Sequence, residues 1–300
     1  MIKPYKDYLA KKHYATSTIQ VYSKDVKQYL DHLENEGMPI TQISYKEILP
    51  YFFQLKKESS EGVVKRKILA IRHLYDMLEV KKNPASGIHI RSRKANRLTN
   101  IIAYEKLIEL DEKYETANNR SKRNKVMLGM LIYQGLKTSE LQRLYLEDVK
   151  LKQQQIYIRS TRKSNSRKLK IEAAQLLELQ EYLLITRPQL LVAISDERAG
   201  RRLDKIDPII AEKLFFSQHG SIEIKNSLKH MFRGIQKINP MLSSAKIIRS
   251  TVIAEWIKTR DIRKVQYMCG HKYVSSTEHY KAYNVEELKD QLKKYHPLSE

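Results

Sequence analysis

Apolar residues recur at three- and four-residue intervals through the first ninety positions of this chain, and a stretch patterned that way has few options besides packed amphipathic helices. Ser17 reads as an N-cap, with Ile19, Tyr22, Val26, Leu30 and Leu33 on one face and Gly37 as the stop. Ser44 and Glu47 have capping-box spacing, and Ile48, Phe52 and Leu55 form the next buried stripe. A third helix is predicted from Ser60, with Val64, Ile68, Ile71, Tyr75 and Leu78 inward and Lys65, Arg66, Lys67 and Arg72 on the other face; Asn83-Pro84 ends it. Residues 91–100, RSRKANRLTN, are basic and lack periodicity, which marks a linker and a domain boundary. Helical spacing returns at 104–114, 125–134 and 172–185 and dominates after 208. One interruption is strand-like: IYI (156–158) and KLKI (168–171), separated by the basic STRKSNSR. The stretch 195–208 has no period and reads as a surface loop or insertion. The expected fold is therefore mainly α with a small β-hairpin, arranged as a helical domain 1–90, a linker 91–100 and a mixed α/β domain 101–300.

Charge narrows the partner. The chain carries 56 lysines and arginines against 34 acidic residues, a net charge of +22, spread over both halves. So large an excess self-repels unless a polyanion offsets it, and an extended polyanion fits the distribution. An anionic membrane surface fits less well, because no helix joins an apolar face to a Trp/Phe/Leu-rich edge. The single cysteine, Cys269, rules out an internal disulfide and suggests a reducing compartment. MIKPYKDYLAKK lacks the apolar run of a signal peptide, and no stretch approaches the roughly 18 apolar residues of a membrane span. A cytoplasmic, soluble protein is expected.

Four separated stretches hold chemistry-bearing residues: GLKTSEL (135–141), the hairpin with Arg162, Lys163 and Arg167, SAKIIRSTVIAEW (244–256), and CGHKYVSSTEHYKAY (269–283). Taken singly they say little. A lysine or arginine is ordinarily a solvated charge, a histidine after glycine is ordinarily a helix cap or structural, and Tyr280 is one of 19 tyrosines. In this order and spacing, however, they resemble the boxes of the tyrosine recombinase family, also called the phage integrase family. GLKTSEL is similar to the first box, TGLR-x-x-EL, with Lys137 in place of its arginine. Lys246-Ile-Ile-Arg249 stands where the second box has H-x-x-R. Gly270-His271, with Tyr280 nine residues beyond and Ser275, Ser276 and Thr277 between, resembles the third. The family's hairpin lysine falls within IRSTRKSNSRKLKI, and the first half resembles the family's helical core-binding domain, including Asn83-Pro84-Ala85.

The resemblance implies a two-domain, C-shaped clamp on double-stranded DNA. It further implies a core site with inverted repeats, four protomers on paired sites, and a cytoplasmic, nucleoid-associated location. It implies no metal, no ATP and no other cofactor, because the phosphodiester energy is kept in a 3′-phosphotyrosine formed by Tyr280. A tyrosine hydroxyl is a weak nucleophile at neutral pH, so such a site must supply positioning and charge stabilisation. By resemblance Arg249 clamps the non-bridging oxygens, His271 donates a further hydrogen bond, Lys137 and Lys246 complete the cationic set, and a hairpin lysine protonates the leaving 5′ oxygen. Lys163 suits the last role; Arg162 aligns about as well, but a guanidinium does not usefully give up a proton. Arg162, Arg167, Lys65, Arg66, Lys67, Arg72, Arg93 and Arg97 are the expected DNA contacts.

Lys137 keeps the charge of the family arginine and loses its bidentate fork, a change expected to slow the chemical step by about 10²–10³-fold. A site-specific recombinase is the leading reading. A catalytically impaired relative acting in synapsis or regulation is the alternative, and type IB topoisomerase chemistry is adjacent but less suited to the two-domain layout. The tail NVEELKDQLKKY (284–295), with Val285, Leu288 and Leu292 at helical spacing, either docks on a neighbouring protomer or packs on its own domain.

Overall fold

Ile2, Tyr5 and Leu9 lie three and four residues apart, and they fold the opening segment into a helix absent from the expectation above. The computed structural model describes residues 1–90, 101–200 and 208–281, the side chains of 197–200 excepted. The linker with Arg93 and Arg97 and the tail segment 284–295 lie outside the described residues. The chain divides into two compact units, Met1–Ala95 and Asn96–Glu300.

The first unit holds α1 (Ile2–Lys11), α2 (Thr16–Asn35), α3 (Tyr45–Glu58) and α4 (Glu61–Met77). Helix α2 starts one residue before the expected Ser17 cap, and Ala15 precedes it without a side-chain bond. Gly37, at φ +64°, turns the chain after α2, as its position suggests. Ser44 and Glu47 do cap α3 reciprocally. The core gathers Tyr5, Leu9, Val26, Tyr29, Phe52, Ile68, Leu74 and Tyr75. Its buried phenols are satisfied: Tyr5 donates to the Ala70 carbonyl at 2.8 Å, and the Tyr29 and Tyr75 hydroxyls lie 2.7 Å apart.

The expected basic face of α4 is only partly a free cationic face. Arg66 makes a two-pronged bond to the buried Asp25 carboxylate, at 2.7 and 3.0 Å. Arg72 donates its Nε to the Ala85 carbonyl at 2.8 Å and an Nη to that of Ile88. These two cations fasten α4 to α2 and to the segment after it, each through its Nε and one Nη. Asn83 completes that joint, donating to the Arg72 carbonyl and to Asp76 while its own side-chain oxygen accepts from the Ala85 amide.

The second unit begins with α5 (Tyr104–Glu112), α6 (Asn119–Tyr133) and the single turn α7 (Thr138–Leu141). A three-stranded antiparallel sheet follows in the order β1 (Val149–Lys150), β2 (Gln155–Ile158), β3 (Arg167–Lys170). The expected strand pair is present, with Ile156 opposite Leu169 and Ile158 opposite Arg167, and a short third strand is added. Next come α8 (Ala173–Glu181), a π-helical turn (Tyr182–Thr186), α9 (Arg187–Gly200), α10 (Pro208–Glu212), α11 (Lys225–Ile238), α12 (Ala245–Thr259), α13 (Ile262–Cys269) and α14 (Ser275–Glu278). The expected loop at 195–208 is corrected over 195–200, where helix α9 runs on to Gly200; residues 201–207 lie outside the described residues, and α10 opens at Pro208. Helices α6 and α12 are buried on nearly every side, which is why their apolar runs lack a clean stripe. Leu128, Leu131, Phe215, Phe216, Ile248 and Val252 lie at the centre of that core. No described helix is long and apolar enough to cross a membrane.

Candidate active site

Arg249 sits in the second turn of α12 and is buried. Its guanidinium donates through Nη1 to the Gly135 carbonyl and through Nη2 to the Cys269 carbonyl at 2.8 Å. Two backbone acceptors from separate elements thus fix the plane of the fork. Gly135 is at φ +57°, and a Cβ there would meet Trp256 at 3.1 Å and Val252 at 3.2 Å. The turn of GLKTSEL therefore requires glycine to bring its carbonyl onto Arg249.

Gly270 caps α13 in the left-handed conformation, φ +64°. The reversal places His271 beside Arg249, with Nε2 at 3.4 Å from Arg249 Nη2 and Nδ1 at 2.9 Å from the Thr277 hydroxyl. A guanidinium only donates, so the Nε2 that faces it accepts, and the ring proton belongs on Nδ1, donated to Thr277. Burial, then the Arg249 and Lys137 charges, push the His271 pKa down to about 4, so the ring is neutral at physiological pH. The Tyr280 ring lies nearly parallel to that of His271, 6.4 Å between centroids and 14° between planes. Burial raises the Tyr280 pKa, while the Arg249 charge and a hydrogen bond with Ser250 pull it the other way.

Beneath these groups lies a pair the motif reading did not single out. Glu140 and Arg167 are both buried and joined bidentately at 3.0 and 2.9 Å. The Glu140 carboxylate also accepts the Lys137 amide at 2.9 Å and lies 3.8 Å from Arg249 Nη1. Burial alone would raise the Glu140 pKa, yet the Arg167 hydrogen bonds and charge, with the Lys137 amide and Arg249, hold it below the usual carboxylate range. Arg167 was expected to face DNA. It is 2% exposed, and its fork holds Glu140 in place of a phosphate. A carboxylate inside GLKTSEL, among so many cations, was the available signal; the partner eighteen positions past Val149 in β3 has no local one.

Lys137 is half-buried at the start of α7. Burial first, then the like charges of Arg249 and Arg167, lower its pKa, with Glu140 opposing. Arg162 and Lys163 form the exposed tip of the hairpin, closed by Thr161 and Ser164 through backbone bonds of 2.8 and 3.2 Å. The hairpin is tethered to the rest of the site: the Asn165 amide donates to the Gly270 carbonyl at 3.0 Å, and the Lys168 amide to the Tyr267 hydroxyl at 3.0 Å. Lys246 is exposed one turn before Arg249. Arg249, His271, Glu140, Arg167 and Tyr280 thus converge through hydrogen bonds and ring contacts, Lys137 borders them, and Lys163 and Lys246 stand on the exposed flanks.

The model of the phage integrase family matches residues 97–287, and that of the phage integrase N-terminal SAM-like domain matches residues 2–82. The chain belongs to the phage integrase family, the tyrosine recombinases. Among the relatives of this recombinase is the tyrosine recombinase XerC of Oceanobacillus iheyensis, 25% identical over 99% of this chain and 95% of that protein. Tyrosine recombinase XerD of the same organism is 26% identical over 94% and 92%. Among solved structures, the XerH site-specific recombinase bound to palindromic difH substrate has the same fold, with a TM-score of 0.70 and 18% identity over 92% of this chain and 79% of that one. A lambda integrase dimer bound to a COC′ core site aligns with a TM-score of 0.62 and 13% identity over 92% of each chain. The chain is thereby a tyrosine-type site-specific recombinase, and the alternative of a relative that has lost catalysis is not favoured.

Proposed function

We propose that this recombinase cuts and rejoins double-stranded DNA through Tyr280. The phenolic oxygen attacks the backbone phosphorus, the bond from phosphorus to the 5′ oxygen breaks, and a 3′-phosphotyrosine and a free 5′-hydroxyl result. Arg249, its fork oriented by the Gly135 and Cys269 carbonyls, presents its remaining N–H groups to the non-bridging oxygens. His271 contributes a further donor in the neutral tautomer that carries its proton on Nε2, with the Thr277 hydroxyl then donating to Nδ1, and Lys137 adds charge. Lys163 on the hairpin tip gives its proton to the leaving oxygen, and Lys246 lines the rim. Rejoining is the reverse attack by a 5′-hydroxyl, so the phosphoester is conserved. The carrying observation is the convergence of Arg249, His271 and Tyr280 from α12, the end of α13 and the segment after α14.

The same reading assigns residues 1–90 to core binding, 91–100 to a linker along the duplex and 101–300 to catalysis. It also has the protein assembling as a tetramer on two inverted-repeat sites within the nucleoid, with Lys65, Lys67, Arg162, Arg93 and Arg97 as phosphate contacts. The test is covalent trapping on nicked suicide duplexes selected for binding by the protein. A denaturation-resistant adduct that disappears in Tyr280→Phe supports the reading. An adduct that persists in that variant, or none on DNA that is demonstrably bound, overturns it.

A further inference from the structure

The outer face of α8, the π turn and α9 lies outside the Tyr280 site and differs in chemistry from the rest of this basic molecule. Leu177, Leu184, Ile185 and Val192 are 79%, 66%, 51% and 60% exposed there. Single exposed apolar residues are ordinary; four along one helical face are not. None of the chain's 56 lysines and arginines stands on the exposed side of 173–196. Arg187 falls within the segment but is buried, donating to the carbonyls of Lys213, Ile210 and Ala211. Two polar groups on the face are already partnered, Glu181 with Lys122 at 2.6 Å and Gln189 with Asn119 at 2.9 Å, while Gln180 is exposed beside them. A phosphate backbone meets no exposed lysine or arginine of 173–196 here, whereas a protein surface of the same kind would cover the four apolar side chains.

The spacing identifies that surface. Leu177 and Val192 are equidistant from a midpoint between Leu184 and Ile185, and Gln180 and Gln189 are equidistant from it too. Reversing the helix therefore reproduces its own apolar pattern, the property an isologous two-fold contact requires. The π turn Tyr182–Thr186 spans that midpoint. Two molecules that each carry +22 repel over most of their surfaces, and this face is one where close approach costs little. We propose that it pairs with the same face of a second copy, the two helices antiparallel about a two-fold axis between Leu184 and Ile185. Leu177 of one copy then lies against Val192 of the other, and Leu184 against Ile185. The stripe is about 22 Å long and roughly one helix diameter wide. That footprint is well short of the ~800 Å² per partner of a stable free dimer, so the contact forms weakly in solution and gains from any arrangement that concentrates the protein. It does not depend on Tyr280 being the nucleophile.

Site-directed disulfide formation on the full chain tests both contact and register, and the single native cysteine, Cys269, is buried. Leu184→Cys, beside the axis, is expected to give a disulfide-linked dimer on mild oxidation, at least about tenfold more than Leu177→Cys alone, because the bond needs closely opposed Cβ atoms. A mixture of Leu177→Cys and Val192→Cys molecules is expected to cross-link, although neither does so alone. Leu184→Glu should abolish concentration-dependent self-association in sedimentation. No dimer from Leu184→Cys, or equal cross-linking by Leu177→Cys alone, overturns the proposal and leaves the face to another segment of this chain or to a different protein.

Discussion

Glu140 is the carboxylate around which Arg167, Arg249 and Lys137 gather, and its two oxygens take the fork of the first while lying close to the second. Glu140→Gln removes the charge and leaves Arg167 buried without its counter-ion. Breaking a buried pair in this way typically costs about 3–5 kcal/mol, so the variant should show a clearly lowered denaturation midpoint together with lost cleavage. Lys137→Arg is expected to do the opposite for chemistry, restoring a planar fork and raising single-turnover cleavage by about 10²-fold; an unchanged rate would mean another cation already supplies that contact. His271 sets a pH dependence whose sign follows from its environment. Its pKa of about 4 in the folded chain lies below that of an exposed imidazole, about 6.5, so between those values the unfolded chain holds the proton and the folded chain does not. The stability contributed by neutral His271 is complete above about pH 6.5 and is lost as the pH falls towards 4. His73 in the first unit, its pKa also lowered by burial, adds a slope of the same sign. The measurement is therefore a comparison: urea midpoints of wild type and His271→Gln at pH 4.5 and 7 should converge at the lower pH.

At the scale of elements, the end of α13 controls where His271 and Tyr280 go. Gly270 combines a left-handed backbone with crowding, since a Cβ would stand 2.5 Å from Arg167 Nη1 and 3.0 Å from the Asn165 carbonyl oxygen. Gly270→Ala should therefore lower the melting temperature and the cleavage rate together, displacing the Arg167–Glu140 pair along with the histidine. A Gly270 variant with wild-type melting would show that α13 can end in another way. The same element shows what could be read in advance. The third box has a fixed length because a helix cap and one short helix separate His271 from Tyr280, so its residues were legible as a spacing. The stripes of α2, α3 and α4 were legible because each buries one side only. Helix α1 was missed although Ile2, Tyr5 and Leu9 carry the helical interval, and α9 was missed because its outer face is apolar where a solvated helix is polar. Arg167 looked like one more hairpin cation. Strand alternation puts it on the inner face opposite Ile158, and only the packing of β3 against the start of α7 reveals Glu140 as its partner.

Over the whole molecule, the basic surplus divides into cations that hold the fold and cations left for a partner, and the two groups predict different measurements. Arg66, Arg72 and Arg167 donate to Asp25, to backbone carbonyls and to Glu140. Removing any of them takes donors from buried or half-buried acceptors and should appear as lost stability. Lys67, half-buried on α4, makes no ion pair among the described residues. If it meets a phosphate, its removal releases one fewer counter-ion on binding. The slope of log K against log salt should then become shallower by about 0.9, with the melting temperature unchanged. Arg167→Ala and Arg72→Ala are expected to behave in the reverse manner, with a lower melting temperature and, in the folded fraction, an unaltered salt slope. Titrating wild type, Lys67→Ala and Arg72→Ala against one duplex at several salt concentrations separates the two classes. A shallower slope for Arg72→Ala, or none for Lys67→Ala, would mean that α4 meets DNA through a different set of its cations and that the intramolecular bonds of Arg72 open on binding.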